Sequence, residues 1–135
     1  MKLKKVERYA RIFQVDCFRK EFLKLIDLKL SDNPERNARL VRANEYIVWY
    51  ENRIDLLDRH GRSCVRKPRF EPLEERDGYF LFSIRNTQSE KNVRIIFIFD
   101  DDDNVILLCP FIEHGRADYE KAKEIAAGRA KLLGI

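Results

Sequence analysis

The sequence predicts an α+β fold: a mostly antiparallel, twisted sheet with a helical hairpin packed on one face, in the order β-α-α-β-β-β-α. Three observations lead there. Residues 78–119 hold three apolar runs separated by polar turns and end at a helix start, a meander with no room for a long crossover. Residues 17–60 place apolar side chains at helical spacing, interrupted once at Ser31-Asp32-Asn33-Pro34. A short aromatic and β-branched run precedes them. At 135 residues and 44% hydrophobic content, the chain fits one domain over residues 1–135 with its own core.

Residues 7–15, ERYARIFQV, are predicted to form the first strand, with Tyr9, Ile12-Phe13 and Val15 as its apolar positions. Asp16 is placed to cap a helix from Cys17, and Phe18, Phe22, Leu25 and Ile26 share one face of it up to about Leu30. Asn33 is placed to cap the next helix. Pro34 suits its first turn, where the missing N–H costs nothing, and Gly61 ends it after His60. The expected buried stripe is Leu40/Val41, Asn44, Ile47/Val48, Ile54 and Leu57, with Trp49 and Tyr50 at its edge. Glu71 to Gly78 reads as turn. Then come three strands, 79–85, 93–99 and 105–112. Arg94 is the one charge inside the second of them, on its less aromatic face, and Pro110 suggests that the third leaves the ladder at its far end. A last helix opens at Ala117 or Asp118 with Tyr119, Ala122, Ile125, Ala126 and Leu133 on one side.

Charge is uneven. Residues 1–70 hold 18 Lys/Arg against 10 Asp/Glu, and residues 71–135 hold 9 against 13, so one basic face suited to a polyanion is expected. The densest signal is Arg59 to Arg69, where Arg59, Arg62, Arg66, Lys67 and Arg69 occur without an acid. It reads as a phosphate-contacting loop or as a solvated connector whose first residues favour the negative end of the preceding helix. Cys17, Cys64 and Cys109 form no C-x-x-C pair. Neither a disulfide framework nor a zinc knuckle is indicated, and a reducing cytoplasm is the expected home. The amino-terminal residues lack the apolar run of a signal peptide, and no stretch approaches a membrane span.

Gly-rich phosphate loops, H-E-x-x-H and G-x-S-x-G are missing from the sequence, so hydride transfer, nucleotide hydrolysis and zinc hydrolysis have no support. The run Asp100 to Asp103 is expected at a hairpin tip, where adjacent carboxylates diverge, so neither metal nor other cofactor is expected. What remains is a cationic cluster on the sheet: Arg85, Lys91, Arg94, His114 and Arg116, with Tyr119 at the helix start. Cutting RNA without a metal needs a group to take the 2′-hydroxyl proton, cations to stabilise the phosphorane and a donor to the leaving 5′-oxygen. Arginine suits the second task through its permanent charge and forked geometry. His114, which titrates near neutrality, suits the first or third. Each has a plainer reading: an exposed loop histidine, a packed tyrosine, and for Arg94 a partner within the sheet.

Ile84-Arg85 closing the first meander strand, Val93-Arg94-Ile95-Ile96-Phe97 opening the next, Phe111 near the end of the third, and the pattern Ala117, Asp118, Tyr119, Ala122, Ile125, Ala126, Arg129 together resemble the RelE/ParE/HigB superfamily of toxin–antitoxin toxins. The phage-derived HigB-like members are the most similar, over roughly residues 7–133. The resemblance implies a RelE-like fold and a ribosome-dependent mRNA endonuclease held inactive by a cognate antitoxin, in a possible heterotetramer with it, with ribosome and mRNA as its other partners. It implies Arg94 at the scissile phosphate, Arg116 or His114 as the charged residue after the last strand, and Tyr119 as the tyrosine of the final helix. Arg62, Arg66, Lys67, Arg69, Arg85 and Lys91 are then the RNA-binding cations. The cleaving members similar to RelE carry lysines where this sequence has Leu81 and Ser83, so His114, Lys91 or Lys67 would substitute. The alternatives are a ParE-like inhibitor of DNA gyrase and a phage-derived binding protein without catalysis.

Overall fold

The computed structural model describes residues 1–26, 34–86 and 91–135, with residues 34–40 described by backbone alone. The chain runs β1 (Leu3–Lys5), β2 (Ile12–Val15), α1 (Phe18–Leu25), α2 (Pro34–His60), a 3-10 turn (Gly61–Cys64), β3 (Phe70–Arg76), β4 (Tyr79–Arg85), β5 (Val93–Phe99), β6 (Val105–Ile112) and α3 (Arg116–Leu133). This is an α+β fold on one six-stranded mixed sheet of order β1-β2-β6-β5-β4-β3. Its pairs are antiparallel except β2 with β6, which is parallel.

The meander strands and the α2 terminus at Gly61 (φ 57°) form where the sequence puts them. Two strands add to the expected order. β1 pairs antiparallel with β2 across a tight turn at Arg8 (φ 72°), which confines the first predicted strand to Ile12–Val15. β3 occupies the segment read as turn, and its register shifts between Pro72 and Glu75. A charged, proline-bearing segment is tolerated there because β3 is an edge strand, with one side of its backbone free of ladder bonds.

Pro110 stays in the ladder, opposite Ile95. The bond from Glu113 N to Asn92 O (3.0 Å) makes Val93–Ile112 a non-hydrogen-bonded pair, and Ile95–Pro110 falls two residues along, so the proline nitrogen points away from β5. On its other side β2 pairs with β6 only as far as Leu107. No donor is missed.

Helix α1 opens at Cys17 without a side-chain cap, so Asp16 does not cap it, and it closes at Ile26. Asn33 and the stretch to Leu30 lie outside the described residues. The buried face of α2 is Ala43, Tyr46, Ile54 and Leu57, while Val41 and Val48 are 61% and 55% exposed and Asn44 is exposed as well. The stripe is therefore rotated from the expected one: Tyr50 meets Phe18 and Phe22 of α1 (6.1 and 5.1 Å between ring centroids), and these aromatics outweigh two valines in area removed from water. In α3 the small side chains Ala122, Ala126, Ala127 and Ala130 are buried, and Ile125 is partly exposed, against expectation. Alanines let the α3 backbone lie close to the sheet.

Register assigns the two sheet faces. Arg85 lies opposite Arg94, and Arg94 opposite Phe111, whose ring packs edge-on against Tyr119 of α3 at 5.1 Å. Alternation sends Phe70, Phe82, Phe97 and Phe99 to the other face, where Arg62 of the 3-10 turn stacks on Phe99 at 4.5 Å. Helical structure thus covers both faces rather than one. Arg129 joins α3 to α1 and β6, meeting both carboxylate oxygens of Glu21 at 2.6 Å and the Leu108 carbonyl at 2.8 Å.

Candidate functional site

The β4–β5 ladder puts Arg85 and Arg94 directly opposite one another. Like charges so placed repel. The fold answers with two carboxylates from distant parts of the chain. Glu113, just past β6, is ion-paired with Nε of Arg94, and Glu71 on β3 stands 3.6 Å from Nε of Arg85. Arg94 is only 6% exposed, and its Nη1 is buried without an acceptor among the described residues. Nε of Arg85 is also buried and unbonded, the 3.6 Å contact being too long for a hydrogen bond. The Tyr119 hydroxyl is the third such atom. Ser83 lies beside it, but its hydroxyl contacts the Ile84 carbonyl at 3.4 Å. Burial pushes the Tyr119 phenol up, with Ser83 and Arg94 opposing, so it stays protonated and able to donate.

These three atoms belong to one face beneath the start of α3. A shallow groove there is walled by Glu71, Glu113, Arg116 and Tyr119, and closes outward on Glu74, Glu120 and Lys123. Its outer end is a clamp between β3 and α3. Arg76 meets Glu120 at 2.7 Å and Glu74 at 3.1 Å, and Lys123 meets Glu74 at 2.7 Å and Glu120 at 3.1 Å. Hydrogen bonds from Arg76 and Lys123 hold the Glu120 carboxyl down at about 2, and those from Lys123, then Arg76, lower Glu74.

Of the residues singled out from sequence, the structure puts Arg85 opposite Arg94 on the face that Tyr119 covers, and Arg116 with Tyr119 on the groove wall. His114 is an exposed turn residue whose backbone N–H donates to Asp118 Oδ2 at 2.9 Å, and it is not among the groove's walls. Lys91 serves the scaffold instead: its Nζ donates to the Leu25 carbonyl that ends α1 (3.1 Å), and its backbone N–H to Tyr46 Oη (2.8 Å). Arg62 is committed to Phe99 and to Asp103 (2.7 Å) on the far face. Arg66, Lys67 and Arg69 are exposed beside a separate groove, with Lys67 3.6 Å from Glu71. The aspartate run is a turn device: Asp100 Oδ1 accepts from the backbone N–H of Asp102 and Asn104 at 2.9 and 2.8 Å.

Sequence reasoning missed Glu71 and Glu113. The only signal for Glu113 is its place after an apolar strand that ends across from Arg94. Chemically, the groove wall carries the Arg116 guanidinium, the protonated Tyr119 phenol and the Glu113 and Glu71 carboxylates, while the spare donors of Arg85 and Arg94 are buried on the same sheet face; the set suits a phosphate ester and the proton on a neighbouring hydroxyl. No family model, curated protein or solved structure matches the chain. No helix among the described residues is long and apolar enough to cross a membrane.

Proposed function

We propose that the chain is a RelE/HigB-like toxin, a ribosome-dependent mRNA endonuclease neutralised by an antitoxin and independent of metal. The observation that carries this reading is the cross-strand arginine pair, with buried donors of Arg85 and Arg94 lacking acceptors beside an unpartnered Tyr119 hydroxyl. Buried donors are normally satisfied. A phosphate drawn onto this face would bring acceptors to donors that lack them. The order strand, two helices, meander and last helix, contained within the fold, is the order the resemblance implies.

In this reading Arg94 and Arg85 neutralise the charge growing on the phosphorane, and Tyr119 donates to one of its oxygens. Glu113, already in the groove, takes the 2′-hydroxyl proton, a task for which the sequence alone offers His114. The 2′-oxygen bonds to phosphorus as the bond to the 5′-oxygen breaks. Water at the open mouth of the groove supplies the proton to that oxygen. Purified chain added to ribosomes translating a defined message should leave 2′,3′-cyclic phosphate ends within the reading frame. Intact messages would remove the endonuclease.

One observation favours the second reading, a ParE-like toxin acting on DNA gyrase: Arg94 is held by Glu113 inside the sheet, as a structural arginine would be. Gyrase supercoiling assays with the same preparation separate the two.

A further inference from the structure

We propose that the groove between the end of α2 and the start of β3, with Arg53 beside Arg69, is a second phosphate subsite that takes the backbone of single-stranded RNA as it leaves Arg85 and Arg94. This rests on the RNA reading above and adds to it a site outside the cleavage groove.

Arg85 N donates to Arg69 O at 2.9 Å, one residue beyond the Phe70–Ile84 pair. The backbone therefore sets Arg69 across from Arg85, as Arg85 is set across from Arg94. Arg85 and Arg94 stand on neighbouring strands, and Arg69, one residue before β3, continues the row through its backbone bond to Arg85, each step being about 4.8 Å as in a β-ladder. The carboxylates thin out along the row. Arg94 has Glu113 to itself, Arg85 shares Glu71 with Lys67 at 3.6 Å each, and Arg69 has no carboxylate partner among the described residues.

Arg53, on α2, adds a further unanswered charge. Its Nε is buried without an acceptor, and burial, then the neighbouring Arg69, lowers its pKa, so the two guanidiniums repel with no ion-paired carboxylate on either among the described residues. The adjoining groove is walled by His60, Ser63, Arg66, Lys67 and Arg69 over Leu56 and Phe70, with no carboxylate among its lining residues. Such an arrangement is costly in the free protein and is relieved by an anion. Guanidinium forks match the two free oxygens of a phosphodiester, and a strand with one charge per nucleotide supplies an acceptor at each step of the row.

Trp49, the single tryptophan, reports on the site: it lies one helical turn before Arg53, and its indole N–H donates to Arg85 O at 3.2 Å. The full chain is titrated, with Trp49 fluorescence as the signal, against a 2′-O-methyl RNA hexamer and against a dinucleotide carrying one phosphate, both uncleavable. Arg53→Gln and Arg69→Gln should each weaken hexamer binding about tenfold and flatten its salt dependence by about 0.7 in slope for each phosphate no longer neutralised. Dinucleotide binding should not change. Hexamer binding at parental strength and slope in both variants overturns the groove subsite and leaves the cleavage groove standing. Wild-type chain that binds neither RNA overturns both. If oligoglutamate binds in place of the hexamer and its binding disappears in both variants, the groove is a protein interface and the proposal fails. Should Arg53→Gln melt early, exposed Arg69→Gln decides alone.

Discussion

Replacing Arg94 separates structure from chemistry only if its partner is replaced with it. Arg94→Ala removes one half of an ion pair in which the arginine side chain is 8% exposed and the Glu113 side chain 24%. Stranding a fully buried partner costs about 3–5 kcal/mol, and since a quarter of Glu113 reaches water the expected loss is about 2 kcal/mol. For a chain of this length that corresponds to roughly 8 °C in melting temperature. The double variant Arg94→Met/Glu113→Leu strands nothing and should return to within about 1 kcal/mol of the parent, because apolar replacement of a buried pair is often neutral. Its cleavage should still be down by a factor of at least about 10²–10³, since the transition-state donor Arg94 and the base Glu113 are both gone. Both quantities come from one preparation, by urea denaturation and by cleavage on programmed ribosomes. A double variant that folds and cuts at the parental rate would refute the assignment of Arg94 and Glu113 to the site.

Tyr119→Phe removes only the unpartnered hydroxyl and keeps the ring against Phe111; stability should hold or rise by up to about 1 kcal/mol while cleavage falls, measured by melting and single-turnover kinetics. Arg129→Lys should cost about 2 kcal/mol in urea denaturation, since a lysine cannot reproduce the two-oxygen grip on Glu21 together with the Leu108 carbonyl bond. Glu74 and Glu120 have lowered folded-state pKa values, so the β3–α3 clamp contributes fully above their unfolded values and is lost as pH falls through about 2 for Glu120. Hydrogen-exchange protection at the start of α3, taken relative to the intrinsic rate at each pH, should accordingly fall on acidification, and Lys123→Met should flatten that dependence. Cys109, pushed up to about 12 by burial, should resist alkylation at pH 8 until the chain is unfolded, as thiol titration will show.

The meander was legible because its strands alternate or run apolar between polar turns, and three strands so joined leave few topologies. β1 and β3 were not, because Leu3–Lys5 and Phe70–Arg76 carry edge-strand charge, and a lone segment of that composition is indistinguishable from a loop. The face of α2 was misjudged for a different reason. Val41 and Val48 compete with Ala43, Tyr46 and Tyr50 for the buried side, and only the aromatic cluster with α1 decides between them. In the site, Arg94 stood out as a charge in an apolar strand, and Tyr119 as the start of a helical stripe. Their carboxylate partners did not, since a glutamate in a loop or an edge strand has an ordinary solvated explanation.

The pairing of those carboxylates bears on how a phosphate enters. Arg94 and Glu113 are in direct contact deep in the sheet, whereas Glu71 stands 3.6 Å from Arg85 and equally far from Lys67, bonded to neither. An anion arriving at the cross-strand pair therefore meets little competition at Arg85 and strong competition at Arg94. In the proposed reading Arg85 is the point of capture. In the same reading Arg94, with Nη1 still unbonded, would take the phosphate without surrendering Glu113, which would keep the carboxylate next to the reacting hydroxyl. Two opposed guanidiniums would be a defect in a sheet built only to fold. Here Arg94 is held by Glu113, Arg85 is only approached by Glu71, and each is left a donor without an acceptor, an arrangement that makes sense when a further anion completes it.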